Sequence, residues 1–82
     1  MEFDVVERIV LVLLRKNGPA IIRWKPNMNS TVDRLISRKL LKIHKSPLLE
    51  PYVMIELTNK GKEIANIIIN QIEDNKSSKI KY

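Results

Sequence analysis

Two apolar stripes near the ends of this sequence constrain its fold most strongly. From Phe3 to Lys16, apolar residues recur at steps of three and four, which is the period of one face of an amphipathic helix. A wider, isoleucine-rich stripe with the same period follows Thr58. A chain of 82 residues can build only one core, so both helices must pack around it. We therefore expect one domain over residues 1–74, followed by a flexible basic tail over residues 75–82.

The first helix is predicted to end at Asn17-Gly18-Pro19. Glycine suits the left-handed position just past a helix, and proline cannot continue one. The apolar stretch Ala20–Trp24 comes next and ends at Lys25-Pro26, where proline disfavours helical geometry at the preceding residue. This stretch is therefore either a brief strand or a single helical turn.

The helical period returns at Asn27 and predicts a second helix over Asn27–Arg38, with Asn27 or Asn29 as its N-cap. Its apolar side is formed by Met28, Val32, Leu35 and Ile36. Polar residues occupy the opposite side, which is expected to face solvent or a partner.

Two stretches with strand-like alternation lie between this helix and the last one. They are Leu40–Lys45 and Tyr52–Leu57, and we expect them to pair. Ser46–Pro51 separates them and contains two prolines, which cannot donate to a ladder, so it is the predicted hairpin loop. The predicted fold is mainly α with a small β-hairpin, in the α+β class.

The net charge of +6 is concentrated in the middle of the chain. Residues 17–46 hold seven basic residues against the single acid Asp33, whereas residues 1–16 are neutral and residues 47–75 are acidic. A clustered basic segment is the electrostatic footprint of a protein that binds a polyanion. A charge surplus that only keeps the protein soluble is the alternative.

Two runs of sequence carry a resemblance to a known superfamily. The run Arg34–Ile43 resembles the junction between the recognition helix and first wing strand of MarR-type and PadR-type regulators. The run Ile55–Ala65, with its Leu-Thr pair followed by Lys-Gly, resembles their second wing strand and the start of the next helix. The resemblance covers roughly Asp4 to Asp74. It implies a winged helix-turn-helix transcriptional regulator that binds duplex DNA, here with a shortened second helix, because seven residues separate Pro19 from Asn27.

The outward side of the predicted reading helix carries residue types that suit base edges in the major groove. Asparagine suits adenine, arginine suits guanine, and serine reaches bases or phosphates. The candidate base readers are Asn29, Ser30, Arg34 and Ser37. The alternative is a solvated helix face on which Asn29 serves only as a cap. Asp33 is expected to pair with a basic neighbour, and Trp24 either stacks on nucleic acid or joins the core.

Flexible cations around this helix are predicted to contact phosphates, which position a protein without reading sequence. The candidates are Arg23, Lys25, Arg38, Lys39, Lys42 and Lys45. A role limited to solubility is the alternative for each of them. The tip of the hairpin loop carries Leu48, Leu49 and Glu50 and no basic residue, so the wing contributes little to DNA contact or instead contacts protein.

The wide stripe on the last helix predicts a homodimer interface, together with the broad apolar face of the first helix. The candidate interface residues are Ile64, Ile67, Ile68 and Ile72. In the resembling families the terminal helices pair and set two recognition helices about 34 Å apart, in successive major grooves. The alternative is that Ile64, Ile68 and Ile72 pack within one chain.

Several function classes receive no support from the sequence. There is no cysteine and only one histidine, His44, so a metal site is not expected, and neither is a cofactor. No arrangement of nucleophile, base and orienting group indicates an enzyme. The apolar runs are too short to span a membrane, and no signal peptide follows Met1, so we expect a cytoplasmic protein. Abundant Ile and Lys hint at a microbial, archaeal or viral source.

Two rival functions remain beside the DNA-binding regulator. One is a winged-helix module for protein assembly, suggested by the uncharged wing tip at Leu48 and Leu49. The other is a chromosomal or plasmid protein that binds DNA without regard to sequence.

Overall fold

The computed structural model describes the backbone of residues 3–80 and the side chains of residues 3–73. Three helices alternate with three strands. In chain order they are α1 (Val5–Asn17), β1 (Ala20–Arg23), α2 (Ser30–Ser37), β2 (Leu41–His44), β3 (Tyr52–Leu57) and α3 (Asn59–Ile80). The bounds of α3 include most of the segment 75–82 for which we predicted a flexible tail. The side chains of that segment lie outside the described residues.

The α+β class and the order of elements are confirmed. The strands form one antiparallel sheet in the order β1-β3-β2. β2 and β3 make the predicted hairpin, with Ile43 opposite Ile55, and β1 pairs with the other edge of β3, with Ala20 opposite the same Ile55. Ala20–Arg23 is thus a strand and not a helical turn.

α1 ends where the sequence predicts, at Gly18, and begins at Val5, two residues after the start of the predicted helical pattern at Phe3. Asp4 caps the N-terminus, accepting a hydrogen bond of 2.7 Å from the Glu7 amide, and the Glu7 carboxylate accepts one of 3.0 Å from the Asp4 amide. This reciprocal pair satisfies two amides that the helix itself cannot. At the other end Gly18 has φ of 84° and donates to the Leu14 carbonyl, which closes the last turn.

The segment between β1 and α2 differs from the prediction. We predicted a shortened second helix between Pro19 and Asn27, but that stretch holds β1 and an irregular segment that leads into a turn at residues 26–28, in which Asn27 has φ of 68°. Pro26 disfavours helical geometry only at Lys25, but Asn27 itself has a positive φ that excludes it from a right-handed helix, so the helical period beginning at Asn27 was misleading. α2 starts only at Ser30, with Asn29 as its cap: the Asn29 side-chain oxygen accepts from the Val32 amide at 3.2 Å. Met28 therefore lies outside the helix and is half exposed, and its predicted place in the core is wrong.

The core lies between the three helices and the inner face of the sheet. Leu11 of α1, Leu35 of α2 and Leu40 at the end of the next turn are fully buried at its centre. Ala65 and Ile68 bring α3 into the same cluster. Within the described part of the chain, no helix combines the length and the apolar character needed to cross a membrane.

The start of α3 is fastened to the turn that follows α2. The Thr58 hydroxyl donates to the Lys39 carbonyl at 2.6 Å and accepts from the Gly61 amide at 3.1 Å. The Thr58 amide donates to the Leu40 carbonyl at 3.0 Å. A Cβ atom at Gly61 would lie far inside contact distance of that same carbonyl oxygen, so this position requires glycine. These contacts fix the direction of α3 relative to α2.

Candidate nucleic-acid interface

α2 presents a polar face to the outside, as its periodicity predicts. Val32 and Leu35 are buried beneath the helix, while Ser30, Arg34 and Ser37 are exposed on its outer side. Of the four candidate base readers, three therefore lie on one accessible helix face. The fourth, Asn29, precedes the helix, is also exposed, and has its side-chain oxygen engaged in capping.

Trp24 and Asp33 form a contact that supports α2 from below. The indole Nε1 donates to the Asp33 carboxylate at 3.2 Å, and the ring is partly buried against the core cluster. The expectation that Asp33 pairs with a basic neighbour is therefore wrong. The segment after β1 brings the Trp24 indole against the first turn of α2, and the indole is the partner of Asp33 in place of the expected basic residue. Trp24 joins the core on one side while part of it remains accessible.

Two predicted DNA-contacting arginines are tied to the first turn of α1. Arg34 Nη2 lies 3.0 Å from Asp4 Oδ2, and Arg34 Nε lies 3.6 Å from Glu7 Oε2. Arg38 Nη1 lies 3.8 Å from the same Glu7 oxygen, and its guanidinium stands 4.9 Å above the centre of the Phe3 ring. We call Asp4, Glu7, Arg34 and Arg38 the α1–α2 ion-pair network. Both arginine side chains keep a substantial part of their surface exposed, 46% and 39% respectively.

Glu7 is the central acid of this network. The residue is only 3% exposed. One carboxylate oxygen accepts from the Asp4 amide, while Oε2 accepts no hydrogen bond within the described residues and faces the two guanidinium groups. A buried negative charge needs such partners to offset its lost hydration. This role of Glu7 was not predicted from the sequence. The Asp4-x-x-Glu7 capping box was a readable signal, but the long-range pairing with α2 was not.

The cations predicted to contact phosphates fall into different environments. Lys42 is paired across the hairpin, with Nζ 3.5 Å from Glu56 Oε1, and His44 Nε2 lies 2.9 Å from the same oxygen. The hydrogen bond with His44 is the main cause that lowers the pKa of the Glu56 carboxyl below its ordinary value of 4.5, and the positive charge of Lys42 adds to it. Lys39 stands in the turn after α2 with φ of 62° and is exposed.

Arg23, Lys25 and Lys45 behave differently from Lys42. All three are exposed, and among the residues that the structure describes none of them makes an ion pair or a side-chain hydrogen bond. They line one surface groove between the turns after β1 and the β2–β3 loop. The tip of that loop is apolar, with Leu48 95% exposed.

The predicted dimer residues divide between core and surface. Ile68 is buried in the core and Ile64 packs partly against it, so Ile68 is not available to a partner. Ile67 and Ile72 are about half exposed. On α1 the exposed apolar side chains are Val5, Val6, Ile9 and Leu13. Ile72 and α1 together line an apolar groove of about 400 Å³.

The described side chains include no group of three or more histidine, aspartate or glutamate residues placed to hold a metal ion.

This arrangement of three helices and a three-stranded sheet with a hairpin is a winged-helix-like fold. The solved structure of transcriptional regulator PA4135 matches 88% of this chain with a TM-score of 0.70 and 20% sequence identity. The likeness establishes the fold, and this chain spans 60% of the length of that protein. No protein-family model matches the sequence, and no curated protein matches it. Membership of the MarR-type or PadR-type families stays a prediction.

Proposed function

We propose that this chain is a cytoplasmic DNA-binding transcriptional regulator that binds duplex DNA as a homodimer through α2. One observation carries the proposal: the exposed polar face of α2 lies within the most basic part of the sequence, residues 17–46. A fold shared with a transcriptional regulator supports it. An exposed helix of this composition suits the major groove, which admits an α-helix.

In this proposal the base contacts come from the outer face of α2. Ser30 and Ser37 are exposed, and their hydroxyls reach bases or phosphates. Arg34 directs Nη2 and Nε toward the acids of α1, which leaves Nη1 for a guanine or a phosphate. The network therefore holds the guanidinium in place before DNA arrives and reduces the entropy lost on binding. Asn29 contributes through the amide group that capping does not use.

Phosphate contacts come from the cations around α2. We propose Arg23, Lys25, Arg38, Lys39, Lys42 and Lys45 for this role, with Lys42 weakened by its pairing with Glu56. If a dimer contacts about six to eight phosphates, the logarithm of its affinity should fall with the logarithm of salt concentration with a slope of about −5 to −7. A salt-independent interaction would contradict this part of the proposal.

The test must change α2 without disturbing the α1–α2 ion-pair network. Ser30→Asp meets this condition, because Ser30 is exposed in the first helical turn, where a carboxylate is favourable. Near phosphates the same charge is repelled, so duplex affinity should fall at least about tenfold while stability is kept. Asn70→Asp is the matched control, since it makes the same charge change at an exposed position of α3.

Duplexes for this assay come from selection of bound sequences out of a random pool, followed by footprinting. A regulator should enrich a palindromic site with two half-sites one helical turn apart. Failure to enrich any duplex at low salt, or equal affinities of the two variants, would overturn the proposal. Enrichment of no particular sequence despite binding would favour a DNA-binding protein indifferent to sequence.

A protein-assembly module is the second candidate, and the 95% exposure of Leu48 favours it. The two functions can be distinguished by which substitution weakens binding. Leu48→Ser should leave duplex binding unchanged in a regulator whose wing tip stays off the DNA. In an assembly module the same change should weaken partner binding, while Ser30→Asp should have no effect.

A further inference from the structure

A groove between the turns after β1 and the β2–β3 loop forms a second polar surface, which we call the basic groove. Its volume is about 540 Å³, within the range of sites that hold small ligands. The side chains that matter for its chemistry are Arg23, Trp24, Lys25, Lys45 and Tyr52. None of them belongs to α2, so the groove is separate from the proposed base-reading face.

The charges of the basic groove are unbalanced. Arg23, Lys25 and Lys45 line it together, and Glu50 is the one acid in its lining. The three cations come from three places: the end of β1, the turn that follows it, and the base of the hairpin loop. Within the described residues they have no side-chain partner, whereas Arg34, Arg38 and Lys42 all face carboxylates. Three like charges held around one cavity repel each other, and a bound anion relieves that repulsion.

Two aromatic rings give the basic groove a flat apolar component. Trp24 is held by its hydrogen bond to Asp33 and by packing against the core, so its position is fixed before any ligand arrives. Tyr52 stands opposite Arg23 in the β1–β3 register and is 47% exposed. Aromatic side chains beside basic ones suit a ligand that carries both a planar ring and an anionic group.

We infer that the basic groove binds a nucleoside phosphate, with the base against Trp24 and Tyr52 and the phosphate at Arg23, Lys25 and Lys45. The same chemistry is offered by a free mononucleotide and by an unpaired nucleotide within a strand. Arg23, Lys25 and Lys45 are also among the cations proposed to contact the phosphates of duplex DNA, but the basic groove shares no residue with the base-reading face of α2. The inference therefore does not rest on the reading of duplex DNA by α2.

Trp24 provides the measurement, since it is the only tryptophan in the sequence. The intact chain is titrated with adenosine monophosphate, adenosine or inorganic phosphate while indole fluorescence is excited beyond the absorption of the base. Adenosine monophosphate should give a saturable change. Adenosine and phosphate, each lacking one half of the ligand, should bind at least about tenfold more weakly. The inference would be overturned if neither millimolar adenosine monophosphate nor a short single-stranded oligonucleotide gave a saturable change, or if adenosine bound as tightly as adenosine monophosphate.

Paired substitutions test the residues. Arg23→Gln with Lys45→Gln should lower nucleotide affinity at least about tenfold. The control variant, Lys60→Gln with Lys62→Gln, removes the same charge from exposed positions of α3 and should leave the nucleotide affinity unchanged. Circular dichroism checks that both variants are folded. Equal affinities in the two variants would contradict the assignment.

A further titration, with a short single-stranded oligonucleotide, distinguishes a free nucleotide from an unpaired nucleotide within a strand. A signal that depends on Arg23 and Lys45 with adenosine monophosphate supports a free nucleotide. The same dependence seen only with a short single-stranded oligonucleotide supports a strand. Ser30→Asp should keep either signal, so failure at the basic groove and failure of duplex reading by α2 are distinguishable.

Discussion

The carboxylate of Glu56, on β3, is held in its ionised form by two residues of β2. One of its oxygens lies 2.9 Å from His44 Nε2 and 3.5 Å from Lys42 Nζ. The hydrogen bond with His44, aided by Lys42, lowers the pKa of Glu56 from 4.5. Lys42 and Glu56 are direct partners in the strand register, so this cluster joins the two strands of the hairpin.

A lowered carboxyl pKa in the folded protein has a defined effect on stability. The unfolded chain binds the proton more readily, so the stabilisation is present above the ordinary pKa and is lost as pH falls through the folded value. The difference in the free energy of unfolding between the wild type and Glu56→Gln should therefore shrink as pH is lowered below 4.5. Urea unfolding at a series of pH values measures it. Glu63→Gln, at an exposed position of α3, is the control, and a pH-independent difference for Glu56→Gln would contradict the assignment.

Gly61 illustrates a residue whose requirement is steric. Its Cα lies so close to the Leu40 carbonyl that a Cβ atom would collide with backbone, which cannot rotate away as a side chain can. Gly61→Ala should lower the free energy of unfolding by at least about 2 kcal/mol, the scale of overpacking in a rigid site. Chemical denaturation measures the loss. The exposed neighbour change Lys62→Ala should cost less than about 0.5 kcal/mol, and equal costs would show that α3 shifts to make room.

At the scale of elements, the α1–α2 ion-pair network joins the first turn of one helix to the outer face of the other. Asp4 and Glu7 have their charges at the N-terminus of α1, where the helix dipole favours them. The same two acids face Arg34 and Arg38. The acids that cap α1 therefore also set the orientation of the arginines on α2.

Glu7→Gln removes the central charge of the network and keeps the shape of the side chain. The amide oxygen can still accept from the Asp4 amide, so the cap of α1 persists. The two arginines lose a buried counter-charge, and because both are partly exposed the cost should be about 1–2 kcal/mol, less than for a fully buried pair. Thermal or urea unfolding measures it, against Glu63→Gln as an exposed control. A loss no greater than that of the control would show that the network contributes nothing.

Local signals in the sequence were sufficient for most elements. The helical period of the first segment, the stop at Gly18 and the alternation in Tyr52–Leu57 each depend on residues close together in the chain, so the existence of α1 and of the hairpin was predicted correctly. The start of α2 was not, because Met28 stands four residues before Val32 and fits the helical period although the turn at Asn27 excludes it from the helix.

Contacts between distant segments explain what the local signals could not give. The pairing of Glu7 with Arg34 and Arg38 joins positions separated by two turns and a strand, and no spacing rule identifies it. The two runs that carry the resemblance do contain the residues of one such contact, although the resemblance does not explain why those residues are there. Its two runs meet where Thr58 binds the Lys39 carbonyl and Gly61 approaches Leu40. The junction between α2 and α3 thus explains why threonine and glycine stand at positions 58 and 61.

For the whole molecule, the proposed function needs two copies of α2 at a fixed separation. The apolar groove along α1, bordered by Ile72 of α3, is an exposed surface of the described residues that suits such pairing. α3 offers fewer exposed apolar residues to a partner than its isoleucine stripe suggested, since Ile68 belongs to the core of the protomer. We therefore propose that the dimer interface consists mainly of exposed α1 residues such as Ile9 and Leu13, with Ile67 and Ile72.

Ile72→Lys tests this interface. The side chain is 46% exposed in the single chain, so a lysine there should keep the fold, with its charged end in water. Within an apolar interface the same charge would lose its hydration, and the dimer should dissociate. Sedimentation equilibrium should give twice the chain mass for the wild type and the single mass for Ile72→Lys. Ile9→Lys, which changes the same groove from α1, should act alike.

Asn70→Lys supplies the control, since it adds the same charge at an exposed position of the same helix and should remain dimeric. The dissociated variant should also show about half the salt dependence of duplex binding, because each molecule then contacts one half-site. A wild type that stays monomeric at high concentration would contradict the proposed dimer. If Ile72→Lys and Asn70→Lys dimerised with equal association constants, the dimer interface would have to lie outside this groove.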